Sequence, residues 1–166
     1  MYSACDCGNI IAEHVSGSVD AFVELMNERA VELGATHTHF VNTHGLTAED
    51  HYSTAYDLYL IFNEVVKYPK YNEISHQSKY VSTYINQNGE EASLELYTTN
   101  LYLRSEATPP SGITVIGGKT GTTDAAGNCI ILYVEDSYGN HYISVIMGST
   151  RRATLYEQMT LLLKEI

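Results

Sequence analysis

At Pro69 the spacing of apolar residues along this chain changes period, and that switch decides which folds are open to it. Before it, Phe22, Leu25, Met26, Ala30 and Leu33 recur at intervals of three and four. Ala55, Leu58, Ile61, Phe62 and Val65 do the same, which is helical spacing. Ser18 and Ser53 stand where these helices would take their N-terminal caps, Gly34 stops the first, and Pro69 bounds the second. A shorter apolar stretch from Ile10 to Val15 ends at Ser16-Gly17. After Pro69 the pattern reads as strands. Tyr80 to Ile85 and Ser93 to Tyr97 flank Asn88-Gly89, a dipeptide whose tolerance of positive φ suits a tight hairpin. Thr108 to Gly112 is a breaker, and Ile113 to Ile116, Cys129 to Glu135 and Tyr142 to Met147 read as three further strands, the last two joined by Asp136 to Asn140. From about Thr150 a final helix sets Leu155, Tyr156, Met159, Leu162, Leu163 and Ile166 on one face.

The chain is therefore expected to be α+β and a single domain: a mainly helical part over 1–75, a hairpin over 76–100, and antiparallel strands with a covering helix over 101–166. Three strands under one helix make a thin core for 166 residues, so more strands are expected beside them. The charge narrows the function. Nine basic residues stand against 20 acidic ones, a net charge of -11, and such a surface repels nucleic acid and anionic lipid. No apolar run approaches the ~20 residues that cross a bilayer, and the N-terminus lacks the basic-then-apolar order of a signal peptide. The odd set Cys5, Cys7 and Cys129 is too small for a disulfide scaffold, and Cys7 and Cys129 read as small buried side chains.

Chemistry gathers at Lys119-Thr120-Gly121-Thr122, at the end of a predicted strand. On an exposed edge this run offers an extended peptide an ammonium, a hydroxyl and outward backbone groups. Its company adds weight. Ser3-Ala4-Cys5-Asp6, Phe40 to Leu46, His51 to Leu58, Thr99-Asn100-Leu101 and Lys119 to Cys129 follow one another in this order. On these motifs the chain resembles the penicillin-binding serine D-alanyl-D-alanine carboxypeptidases, low-molecular-mass enzymes that trim cell-wall peptides, over nearly all its length.

The resemblance implies an incomplete β-lactamase/transpeptidase-like fold and a set of roles. Ser3 matches the first position of the S-x-N triplet, whose hydroxyl relays a proton between nucleophile and leaving amine. Cys5 stands where most members have Asn, a departure that weakens its assignment as a substrate contact, because a thiol is a poor hydrogen-bonding group. Lys119 matches the lysine of K-T-G and supplies positive potential beside the substrate's terminal carboxylate. Thr120 would hydrogen-bond that carboxylate, Gly121 would leave the strand edge unobstructed, and Thr122 would give its backbone N–H to the oxyanion hole.

The nucleophile of this family lies in S-x-x-K, one helical turn before a lysine that activates it. Three residues before Lys67, Lys70, Lys79, Lys119 and Lys164 stand Glu64, Lys67, His76, Ile116 and Leu161, so the motif does not occur. The chain is accordingly expected to be the C-terminal part of such an enzyme, N-terminally truncated, and by itself to be inactive and to form no acyl-enzyme. The same loss accounts for the thin sheet and the missing signal peptide. For the complete enzyme the resemblance implies peptidoglycan stem peptides and β-lactams as ligands, no metal or organic cofactor, and a place outside the cytoplasmic membrane. An uncovered sheet edge favours self-association. Two rivals remain at this stage: a non-catalytic peptidoglycan-binding or interaction module, and a metal-binding module built on His37, His39, His44 and His51, for which no local Cys or Glu completes a ligand set.

Overall fold

The computed structural model describes residues 2–166. Its first half is helical, as the three-to-four spacing demands: α1 (Cys5–Ser16), α2 (Val19–Glu32), α3 (Ala55–Val65) and α4 (Pro69–Ser75). Ser18 caps α2 by accepting from the Ala21 N–H at 3.1 Å. The cap of α3 is Thr54, which accepts from the Asp57 N–H at 3.1 Å, and not Ser53. Ser53 instead spends its hydroxyl on Thr38, 2.8 Å away. Pro69 bounds α3 but also opens α4, because at the first helical position its missing N–H costs nothing.

The strand half forms two separate antiparallel sheets. β1 (Lys79–Ile85) and β2 (Glu91–Tyr97) make a hairpin with Lys79 opposite Tyr97. β3 (Thr114–Thr123), β4 (Gly127–Glu135) and β5 (His141–Ser149) make a meander in that order, which leaves β3 and β5 as its edges. No further strand joins this sheet among the described residues. α5 (Arg152–Leu162), followed by a 3-10 turn, lies across β4 and β5. The core sits between them: Ile130, Leu132 and Val134 from β4 meet Leu155, Tyr156, Met159 and Leu163, with Tyr102 and Val115 closing the sides. Leu162 and Ile166, expected on this buried face, are 40% and 38% exposed, because they lie beside Tyr142 to Val145 of the edge strand β5, past which no further strand of this sheet covers them among the described residues.

Two features position the strand that carries Lys119 to Thr122. A register shift between Val115 and Gly117 makes Ile116 an extra residue in β3, and a β-bulge of this kind re-aims the residues that follow. α4 packs behind the same place: the His76 ring nitrogen Nδ1 lies 2.9 Å from the Ile116 carbonyl, and a Cβ on Gly117 would sit 2.4 Å from Ser75 Oγ. Lys119 to Thr122 therefore lie within a ten-residue strand that extends well beyond the expected Ile116.

Candidate active site

Ser3 stands just before α1, and Lys119 is presented by β3, 116 positions later. The fold brings them together: Lys119 Nζ donates to Ser3 Oγ at 2.5 Å and to the Thr120 carbonyl at 2.5 Å. Burial pushes the Lys119 amine below the usual lysine range, and negative charge on Cys5 would act the other way. Cys5 is half-buried at the start of α1, beside Lys119 but not on the wall of the adjoining cavity.

That cavity, of about 260 Å3, is lined by Ser3 from one side and by Thr120, Gly121 and Thr122 from the other. It is lined also by Thr99, Asn128, Arg152, Leu155 and Tyr156; the sequence placed Thr99 and Asn128 within the resemblance motifs and Leu155 and Tyr156 on a buried helix face, but assigned none of the five to the site. Thr99 ties these together. Its hydroxyl accepts from Thr120 Oγ1 at 2.6 Å, and its carbonyl accepts from Arg152 Nη2 at 3.0 Å and from the Tyr156 hydroxyl at 3.5 Å. Tyr156 in turn accepts the Leu101 N–H at 2.9 Å. Thr122 Oγ1 donates to Asn128 Oδ1 at 3.2 Å, and Asn128 Nδ2 anchors on the Ser149 carbonyl at 3.1 Å. One sequence signal for Arg152 existed: Arg151-Arg152 opens a helix, where a positive charge opposes the macrodipole.

The loop between α2 and α3 joins the two walls. Thr43 Oγ1 donates to Asn9 Oδ1 of α1 at 2.7 Å, and Thr47 Oγ1 donates to Thr123 Oγ1 of β3 at 2.8 Å. Asn42 folds the intervening turn by accepting the His44 and Gly45 N–H groups. At the loop's base the buried Asp57 carboxylate accepts the His37 N–H at 2.7 Å and the Thr38 hydroxyl at 2.8 Å. Burial alone would raise its pKa, and these hydrogen bonds together bring it below the ordinary carboxylate value. The histidines serve the same loop. His44 Nδ1 accepts from the Leu46 N–H and His51 Nδ1 from the Val41 N–H, while His39 Nδ1 lies 2.7 Å from the Asp50 carbonyl. Burial, then the charges of His44 and His39, pushes His51 below the usual histidine range, which keeps it neutral and able to accept. Among the described residues no three His, Cys, Asp or Glu side chains converge on a point where a cation would sit. The cysteines depart from expectation: Cys7 is exposed and Cys129 half-buried, and all three thiols are free.

A helical half, a strand carrying Lys-Thr-Gly-Thr and a hydroxyl-bearing turn facing it across a cleft form part of the penicillin-binding DD-peptidase fold. The solved penicillin-binding protein 5 of Haemophilus influenzae superposes with a TM-score of 0.81 at 27% identity, over 98% of this chain and 44% of that one. The Streptomyces K15 DD-transpeptidase superposes with a TM-score of 0.86 at 25% identity, over 96% of this chain and 62% of the other. The sequence pattern of peptidase family S11, the D-alanyl-D-alanine carboxypeptidases, matches residues 1–151, and the chain belongs to that family. It is 33% identical over 162 residues to the D-alanyl-D-alanine carboxypeptidase DacF of Bacillus subtilis, spanning 97% of this chain and 39% of that protein. DacA of Haemophilus influenzae is 31% identical over 149 residues, 89% of this chain and 34% of its own length.

Proposed function

We propose that this chain is the part of a serine-type D-Ala-D-Ala carboxypeptidase that grips the carboxylate end of a peptidoglycan stem peptide during acyl-enzyme chemistry, and that alone it does not cleave the D-Ala-D-Ala bond. The observation that carries the reading is the meeting of Ser3, Thr120, Thr122 and Arg152 around one small cavity, with Lys119 hydrogen-bonded to Ser3 behind its wall, in a chain that contains no S-x-x-K. A terminal carboxylate entering there meets the Arg152 guanidinium and the Thr120 hydroxyl, both already held by Thr99. In an acidic chain this cation matters locally, since nearby charge sets the field. The Lys119 to Ser3 hydrogen bond gives a path by which a proton reaches a leaving amine, and the Thr122 backbone N–H is the candidate oxyanion donor. The nucleophile, in this reading, comes from outside these residues, and the complete enzyme works outside the cytoplasmic membrane and binds β-lactams at the same site.

The test is D-alanine release from diacetyl-L-lysyl-D-alanyl-D-alanine by the purified chain, alongside binding of the same peptide. Binding without release is expected. Release of D-alanine at a rate abolished by β-lactam would overturn the second half of the proposal, and absence of binding the first.

A further inference from the structure

The expectation that this chain forms no acyl-enzyme concerns a serine with its lysine three residues on, and a motif search of that kind does not see a pair separated by 116 positions. Ser3 and Lys119 are such a pair. The hydroxyl is exposed on the wall of the 260 Å3 cavity and hydrogen-bonded to an amine at 2.5 Å. Among the described residues no carboxylate is ion-paired with that amine, although the chain carries 20 acidic residues. Burial favours its neutral form, and a neutral amine within hydrogen-bond reach of a hydroxyl is a general base. The turn after Ser3 supplies the third requirement. α1 begins at Cys5 with Ala4 as its cap residue and no side-chain cap, so the Cys5 and Asp6 N–H groups, next in the chain after Ser3, are free of a side-chain partner and are the candidate donors to a developing oxyanion.

We propose that Ser3 and Lys119 form a serine–lysine dyad that takes up acyl groups from activated esters and thioesters of small carboxylic acids, independently of any S-x-x-K serine and of how stem peptides bind. Neutral Lys119 Nζ removes the Ser3 proton as Oγ attacks the ester carbonyl carbon. A C–O bond forms to Oγ, the bond from the carbonyl carbon to the leaving oxygen or sulfur breaks, and the leaving group departs as alcohol, phenol or thiol with the proton from Lys119. Water then hydrolyses the Ser3 ester, returning acid and free serine. Unactivated amides lie outside this range, because their carbonyl is resonance-stabilised and an amine is a far poorer leaving group than a phenolate or thiolate. Arg152 on the cavity floor favours acyl groups with a distal carboxylate.

The experiment exposes the full chain to 4-nitrophenyl acetate and to the mono-4-nitrophenyl ester of succinic acid, follows nitrophenolate release, and maps the acyl group by tandem mass spectrometry. Acylation of Ser3 is expected, faster with the succinyl ester. The Ser3→Ala variant should lose the adduct. Lys119→Arg keeps the positive charge but has no accessible neutral form, so it should slow Ser3 acylation by about 100-fold or more, with an unchanged circular dichroism spectrum. The rate should rise with pH to a plateau reached below the ordinary lysine range, the charged or titratable groups around the pair being Cys5 from α1 and, on the cavity it adjoins, Arg152 and Tyr156 from α5. Acyl groups found only on Cys5, Cys7, lysines or tyrosines would overturn the proposal. So would a Lys119→Arg variant that acylates Ser3 at the wild-type rate.

Discussion

Two glycines three positions apart on β3 should respond in opposite ways to the same added methyl group. Gly118 has φ of +144°, and a Cβ there would lie 2.2 Å from the Ile131 carbonyl oxygen and 3.1 Å from Leu132 Cα, about 0.8 Å inside the closest approach that real Cβ atoms make. Both atoms belong to the backbone of β4, so no side-chain rotation relieves the contact. The strands must part at the residue before Lys119. Strain at a φ that L residues avoid costs roughly 1–3 kcal/mol, and two ladder hydrogen bonds lost beside it add about 1 kcal/mol each. Gly118→Ala should therefore destabilise by about 3–5 kcal/mol, a large part of a domain's typical margin. Gly121 has ordinary φ and nothing within 4 Å of where an alanine methyl would stand, so Gly121→Ala should change stability by no more than about 0.5 kcal/mol. Its methyl would instead project from the cavity wall and weaken binding of a carboxylate-ended peptide. Urea denaturation followed by tyrosine fluorescence suits a chain with 14 Tyr and no Trp. A Gly118→Ala variant as stable as the parent, or a Gly121→Ala variant more than about 1 kcal/mol less stable, would refute this packing of β3 against β4.

Arg152→Leu should lower affinity for stem-type peptides with a free C-terminal carboxylate by about tenfold or more, the scale of one charge-assisted hydrogen bond, and leave affinity for the C-terminal amides unchanged, as measured by calorimetry. Asp57→Asn should cost roughly 2 kcal/mol at neutral pH, the scale of hydrogen bonds to a buried charge. Because the folded-state pKa of Asp57 is depressed, its contribution is complete above about pH 4 and is lost as pH falls through the folded value, so parent and variant denaturation curves should converge in acid. Tyr71, pushed up to about 12 by burial, should stay protonated where exposed tyrosines ionise. Its neutral form is favoured in the fold, so this stabilisation is present below about pH 10 and is lost as pH rises through the folded value; Tyr102, Tyr142 and Tyr156 are also raised, and ultraviolet titration should show a late-ionising group of phenols that loses one member near pH 12 in Tyr71→Phe.

The helical half and the hairpin were legible because local periodicity and Asn88-Gly89 dictate them without reference to distant residues. What misled was chemistry with two uses. Pro69 stops one helix and starts another, and Ser53 and Thr54 are equally good caps until Thr38 claims the first hydroxyl. Leu162 and Ile166 carry the right period for a buried face, but period cannot report how wide the opposing sheet is. Ser3 and Lys119 to Thr122 were singled out through motif resemblance, and the fold gathers Ser3, Thr120, Gly121 and Thr122 at one cavity with Lys119 hydrogen-bonded to Ser3. Thr99 was noted within a motif but given no role, and Arg152 was not singled out, because their place depends on a hydrogen bond spanning 53 positions, a relation with no local signature.

Everything proposed for stem peptides rests on Thr120, Thr122 and Arg152 forming a seat for a peptide carboxylate in this chain as it stands. Titration of the isotopically labelled chain with diacetyl-L-lysyl-D-alanyl-D-alanine and with its C-terminal amide, read by amide chemical shifts, tests it directly. The carboxylate peptide should shift the amides of Lys119 to Thr122, Thr99 and Arg152 in a saturable way, while the amide peptide leaves them in place. Equal shifts from both peptides, or none from either, would contradict it.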